Sequence, residues 1–261
     1  MYKVISTDQS SVIQKIREAG LNRRVHPIDI TRKVAEMHTG SPALLYADSY
    51  TKRKPGNEVL VVVACCSYEI YGPNSNGDGF PSENADPEHN IKEEDLLTKH
   101  YKSFEKGKVH WMHDMQQPVG WVVKAYWNDR YKWVELVIEL DEDRIDPDVM
   151  KRVRNDEMIF VSMGCDVRYD VCSVCGTRSR MEKVKGKDVK KTCIHIEEGL
   201  LNVYNGIIAA MLNPSPDFDD ISVVFIPADA IASSLYRKAA SAAGQFVPGM
   251  KPVDIRKAAA I

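Results

Sequence analysis

Three short segments carry residue types that together could activate a hydroxyl for attack. His113 stands in Val109-His110-Trp111-Met112-His113-Asp114, Ser162 in Phe160-Val161-Ser162-Met163-Gly164, and a pair of carboxylates in Asp219-Asp220-Ile221-Ser222. A serine is a weak nucleophile until a neighbouring base takes its proton, and the base works best when a carboxylate orients it. Acyl transfer is the chemistry that needs all three roles. Any one His, Ser or Asp in a chain of 261 residues is more often structural, so the weight rests on agreement among the three. His110 would fall on the opposite strand face from His113, by the alternation of strand side chains, which sets it aside as the base.

The six cysteines divide into two groups. Cys65 and Cys66 end the β-branched run Val59-Leu60-Val61-Val62-Val63-Ala64 and read as small core side chains of a buried strand. Cys172-Ser173-Val174-Cys175-Gly176 is a CxxC knuckle, and Cys193-Ile194-His195 offers a second close pair. Two pairs of thiolate and imidazole donors are what tetrahedral zinc requires, so Cys172, Cys175, Cys193 and His195 form a candidate structural Zn2+ site, with Cys165 as an alternative ligand. Four protein ligands leave no open position for a catalytic water. The stretch between the pairs is rich in Lys, Arg and Gly and has little to bury, so metal would supply much of its folding energy. Its cations also raise a nucleic-acid contact as an alternative, disfavoured by the lack of interleaved aromatics.

These residues need elements to hold them. The pattern predicts short helices over Asp8–Gly20 and Thr31–His38, then a strand over Glu58–Tyr68. Strands over Val119–Trp127 and Tyr131–Leu140 follow, joined as a hairpin by Asn128-Asp129-Arg130. In the second of these, Trp133, Glu135, Val137 and Glu139 share a face expected to be partly wet. Asp146-Pro147 supplies an N-cap and a first-turn proline for a helix reaching about Asp156. Strands over Met158–Val167 and Ile221–Ile226 and a helix over about Asp229–Ala243 complete the pattern, with Gly244–Ile261 as a tail. The fold class is α+β.

Lys and Arg total 35 against 37 acids, a formal net charge of −2. No global basic field argues for nucleic acid, no apolar run is long enough to span a bilayer, and the opening residues are polar rather than signal-like. Asn74-Ser75-Asn76-Gly77-Asp78-Gly79 looks like the opening of a calcium loop, but Ala85 stands where a bidentate Glu is needed. A tight Asn/Gly turn near the substrate cleft is the plainer reading.

Taken in order, His113-Asp114, Pro118-Val119-Gly120, a hairpin, a helix, Val161-Ser162-Met163-Gly164, and Asp220-Ile221-Ser222-Val223-Val224 with Pro227-Ala228 resemble the capsid-maturation (prohead) proteases of tailed bacteriophages. The resemblance covers about residues 59–232. It implies a serine endopeptidase related to herpesvirus assemblins, with a mostly antiparallel β-barrel surrounded by helices. By motif, Ser162 would be the nucleophile, His113 the general base and Asp220 the orienting acid, with Asp114, Asp219 and Glu139 as alternatives for the third role. The implied partners are the major capsid protein and scaffold precursors, met inside the assembling prohead in the host cytoplasm, with self-association or capsid association and no membrane. The implied organisation is an N-terminal helical extension (1–57), a protease-like domain (58–232) with the zinc-knuckle insertion at about 165–200, and a C-terminal segment (233–261). The insertion lies outside the family's minimal pattern. A catalytically silent scaffold-associated virion protein on the same fold is the alternative.

Overall fold

A computed structural model describes residues 41–184, 187–229 and 231–238. The helices expected over Asp8–Gly20 and Thr31–His38 and the tail from Gly244 lie outside the described residues. In chain order the first strands are β1 (Glu58–Cys66), β2 (Asp78–Gly79), β3 (Lys108–Trp111), β4 (Asp114–Asn128), β5 (Trp133–Leu140), β6 (Phe160–Asp166) and β7 (Val171–Cys172). The later ones are β8 (Arg180–Val184), β9 (Lys187–Lys191), β10 (Val203–Tyr204), β11 (Ile207–Ile208), β12 (Met211–Leu212), β13 (Asp217–Val224) and β14 (Ser234–Lys238). Helix α1 (Pro42–Ser49) precedes β1, α2 (Pro147–Arg154) separates β5 from β6, and the single turn α3 (Ile194–Glu197) follows β9.

Seven strands form one sheet in the order β14-β1-β5-β4-β3-β13-β6, antiparallel except for the β3–β13 pair. The class is α+β as expected, but the barrel is not: the sheet curls into a half-barrel and stays open. Register shifts at Val61/Val62, Val63/Cys65, Val122/Lys124 and Phe218/Asp220 supply the bends, since each bulge adds local twist. The two margins meet around residues 232–234. There Val161 N donates to Ala232 O at 3.0 Å, Ser234 N to Ile159 O at 2.7 Å, and Val63 N to Ser233 O at 2.9 Å. Where the helix expected over Asp229–Ala243 falls on described residues, β14 stands instead, because residues 234–238 find an open sheet edge on β1 whose ladder groups need partners.

One face of the sheet carries the main core, including Leu60, Leu136, Ile138, Val109, Ile221 and Val161. Phe218 of β13 lies fully buried there, stacked on Phe104 with ring centroids 4.1 Å apart, which fixes β13 against the turn Tyr101–Lys106. Burying a side chain of this size stabilises by roughly 1.5–3 kcal/mol. Helix α2 starts as read, with Asp146 accepting from Asp148 N at 2.8 Å, and buries Val149, Met150 and Val153.

The opposite face is not wet. Helix α1 lays Ala43, Leu44 and Ala47 over Val59, Val61, Val63 and Val137, so every residue of β5 is buried. Glu135 and Glu139 therefore sit at 0 % exposure, and each needs donors. Glu135 accepts from Ser41 Oγ, Asn128 Nδ2 (2.6 Å) and Trp133 Nε1 (3.0 Å). Glu139 accepts from Tyr50 OH (2.9 Å), Lys54 N (3.0 Å) and Asn57 Nδ2 (2.8 Å). Gly120 of the Pro-x-Gly segment lies inside β4, where a Cβ would come within 2.2 Å of Glu139 O, so only glycine allows β4 that close to β5.

Candidate functional site

Strand β13 lies between β3 and β6, with Ser222 directly opposite His110 on one side and Ser162 on the other. Directly opposed residues point to the same side of a sheet, and the two-residue alternation adds Asp220. A polar stripe of His110, Ser222, Asp220 and Ser162 thus crosses three strands. The alternate positions Val109, Ile221, Val223 and Val161 face the core. All four stripe residues are buried.

His113 arrives by a different route. Trp111 pairs with Asp114, so Met112 and His113 are the two loop residues of the β3–β4 hairpin, with φ of 49° and 61°. Left-handed φ at both positions is what a type I′ hairpin demands, and Asn-Gly is its usual sequence. Neither Met nor His favours that region, so the tip is strained, and bonds from Met112 N to Val223 O (3.0 Å) and from His113 to Ser222 and Asp220 hold it over β13. Replacing Met112 with Gly is expected to raise stability by about 1 kcal/mol, read as a higher Tm.

The two histidines converge on Asp220. Its Oδ2 lies 2.8 Å from His113 Nδ1 and its Oδ1 lies 2.6 Å from His110 Nδ1, while Ser222 Oγ lies 3.0 Å from both oxygens. An ionised carboxylate only accepts, so each Nδ1 is the donor, and a neutral His113 then has its lone pair on Nε2. The His113 side chain is 45 % exposed and Asp220 only 5 %. Ser222 Oγ also accepts from His113 N at 3.2 Å, tying the hairpin tip to the same carboxylate. A Cβ on Gly164 would meet Asp220 Cβ at 3.1 Å and Oδ2 at 3.3 Å, so the Ser-x-Gly step gives the carboxylate its room.

Of the alternative acids, Asp114 bonds to Gln116 N and Gln117 Nε2, Glu139 is consumed under the linker after α1, and Asp219 is exposed at the β13 bulge. The expectation that His110 faces away from His113 fails, because strand alternation ends at Trp111 and His113 belongs to the turn. Ser162 is 7 % exposed and one strand from Asp220. Among the described residues no hydrogen bond joins its hydroxyl to either imidazole.

Cys172, Cys175, Cys193 and His195 form a second cluster that could hold a metal ion, their donor atoms all within 4.8 Å of one another. Cys172 Sγ and Cys193 Sγ lie 3.9 and 3.7 Å from His195 Nδ1, close to the edges of about 3.5–3.8 Å that zinc-type bonds give in a tetrahedron. The knuckle is built to receive a cation: Val174 N points at Cys172 Sγ (3.4 Å), and Gly176 N donates to Cys172 O (2.9 Å). Burial pushes the Cys175 thiol up, but bonding to Thr177 and His195 outweighs it and pulls the pKa down to about 6. Cys165, the alternative ligand, is not in the cluster. Burial and the nearby Asp78 and Asp219 raise it to about 12, which suits an inert thiol. His89, which sequence reading passed over, bonds through Nε2 to Ser173 O at 3.1 Å and braces the knuckle from outside.

Chelation is expected to open Cys172, Cys175 and Cys193 to alkylation while Cys65, Cys66 and Cys165 stay unmodified. Intact mass after iodoacetamide treatment would show three adducts only in chelated protein; three adducts without chelator would mean that the cluster holds no metal.

Two cations of the basic stretch are engaged within the protein, Lys190 with Asp170 and Arg178 over the Tyr169 ring at 3.3 Å. Asn74 forms a local turn, its Oδ1 accepting from Asn76 N and Asp78 N, as the plainer reading expects. No helix among the described residues is long and apolar enough to cross a membrane. No protein-family model, curated protein or solved structure matches the chain.

Proposed function

We propose that this protein is a serine endopeptidase that cleaves capsid and scaffold precursors during head maturation of a tailed phage. The observation that carries the reading is the 2.8 Å His113–Asp220 pair, with Ser162 on the next strand and the same face. As the Ser162 Oγ–carbonyl bond forms, His113 Nε2 takes the hydroxyl proton, and Asp220 stabilises the imidazolium. The same proton then passes to the leaving amine, and water repeats the sequence to free the acyl group. Ser162 and His113 would close their remaining gap when substrate binds, since catalytic hydrogen bonds are often loose in a free enzyme.

That gap is also what favours a second reading, a silent scaffold-associated protein on the same fold. Zinc is the proposed occupant of the Cys172, Cys175, Cys193 and His195 cluster, because three thiolates and one imidazole suit it and leave no position for substrate. The deciding experiment incubates the metal-loaded chain and its Ser162→Ala variant with the matching precursors and follows cleavage by intact mass. Products that need Ser162 support the enzyme; equal cleavage by both removes Ser162 as nucleophile; no cleavage by either folded protein favours the silent reading.

A further inference from the structure

We propose that His110 is a positioning residue: it fixes the carboxylate of Asp220 so that Oδ2 faces His113. In its kinetic consequence this rests on the protease reading above. Asp220 serves two imidazoles that live in different surroundings. His110 is 3 % exposed on β3, held between β13 and β4 by the pairs His110–Ser222 and His110–Pro118, whereas His113 is 45 % exposed at a hairpin tip. One ring is anchored and the other projects.

A carboxylate with one donor can turn about its Cβ–Cγ bond and present either oxygen. Here Oδ1 is held by the anchored ring at 2.6 Å, Oδ2 receives His113 at 2.8 Å, and Ser222 Oγ lies 3.0 Å from each. Three donors from three directions remove that freedom. Without His110, Oδ1 would keep only its share of the Ser222 hydroxyl at a residue only 4 % exposed, and a buried acceptor short of donors turns toward those that remain. The remaining donors are Ser222 and His113 itself, so the carboxylate would turn and the His113 ring would lose its present 2.8 Å seat on Oδ2. Ser222 does not replace the ring, because its single hydroxyl proton serves both oxygens and cannot fix which of them faces His113.

Two variants of the full metal-loaded chain separate positioning from packing. His110→Asn keeps an N–H donor near the place of Nδ1; His110→Phe keeps the ring volume and loses the donor. With a precursor-derived peptide, His110→Phe should lower kcat about 10–100-fold with KM within about twofold, the penalty of a slightly misaimed group, while His110→Asn stays within about threefold of the parent. Proton NMR supplies a readout that does not need cleavage. The parent should show two low-field imidazole N–H signals; His110→Phe should lose its own and the exchange protection of the His113 signal, and His110→Asn should keep the latter. The proposal is overturned if His110→Phe matches the parent in kcat and in the His113 signal, or if the two variants are impaired alike with matching falls in Tm. Should the parent cleave nothing, the protease reading fails, and an unchanged His113 signal in His110→Phe would overturn the positioning role by itself.

Discussion

On the protease reading, Ser162→Ala is expected to abolish cleavage of the capsid and scaffold precursors, with a loss in kcat of about 10^5–10^6-fold, leaving the fold intact. The size follows from the role. Removing a nucleophile leaves only binding and transition-state electrostatics to act, and members of such a unit fail together rather than additively. The side chain lost is small and buried beside Ser222, so Tm should change little. A modest loss of activity, tenfold or less, would place the nucleophile elsewhere.

Asp220→Asn is expected to lower kcat by about 10^3–10^4-fold while changing KM little. The carboxylate accepts from His110, His113 and Ser222 at once, and all three are donors in the present arrangement. An asparagine has one accepting oxygen and one NH2, so at least one of the three meets a donor where it had an acceptor. If that one is His113, its ring must carry the proton on Nε2, where the lone pair is needed. A stability loss of about 1–3 kcal/mol should accompany it, since the site is buried. Kinetics at fixed pH with circular dichroism of the folded state would check both; lost stability with unchanged kcat would mean that Asp220 holds the structure and not the base.

How much of this was legible in the residues differs from element to element. The strands β1, β4, β5, β6 and β13 and helix α2 announced themselves, because their side-chain periods and the Asp146-Pro147 start are local signals. The four metal donors were equally plain, since close pairs of ligands are written in spacing. The open sheet was not, because closure depends on where bulges fall, and β14 took an edge that only the assembled sheet offers. The wet face assigned to β5 failed because period-two alternation says that glutamates share a side but not what covers it; α1 covers it.

His110 was set aside by the same alternation, applied one residue too far. Met112-His113 lacks the Asn-Gly sequence that marks a two-residue hairpin, so the turn was hidden. A signal was nevertheless present. Val109-His110, Val161-Ser162-Met163-Gly164 and Asp220-Ile221-Ser222-Val223 each alternate polar with apolar residues, and three such strands side by side put His110 next to Asp220. Adjacency of strands is what the residues alone did not supply.

The buried glutamates of β5 set a limit on how far the chain can be trimmed. Glu135 depends on Ser41, and Glu139 on Tyr50, Lys54 and Asn57, all upstream of the first strand. A cut at Glu58 would take away α1 and four of the six donors to these carboxylates, leaving Val59, Val61, Val63 and Val137 without the helix that covers them. A cleavage between Ser41 and Glu58, by any protease, would therefore unseat the sheet rather than trim it.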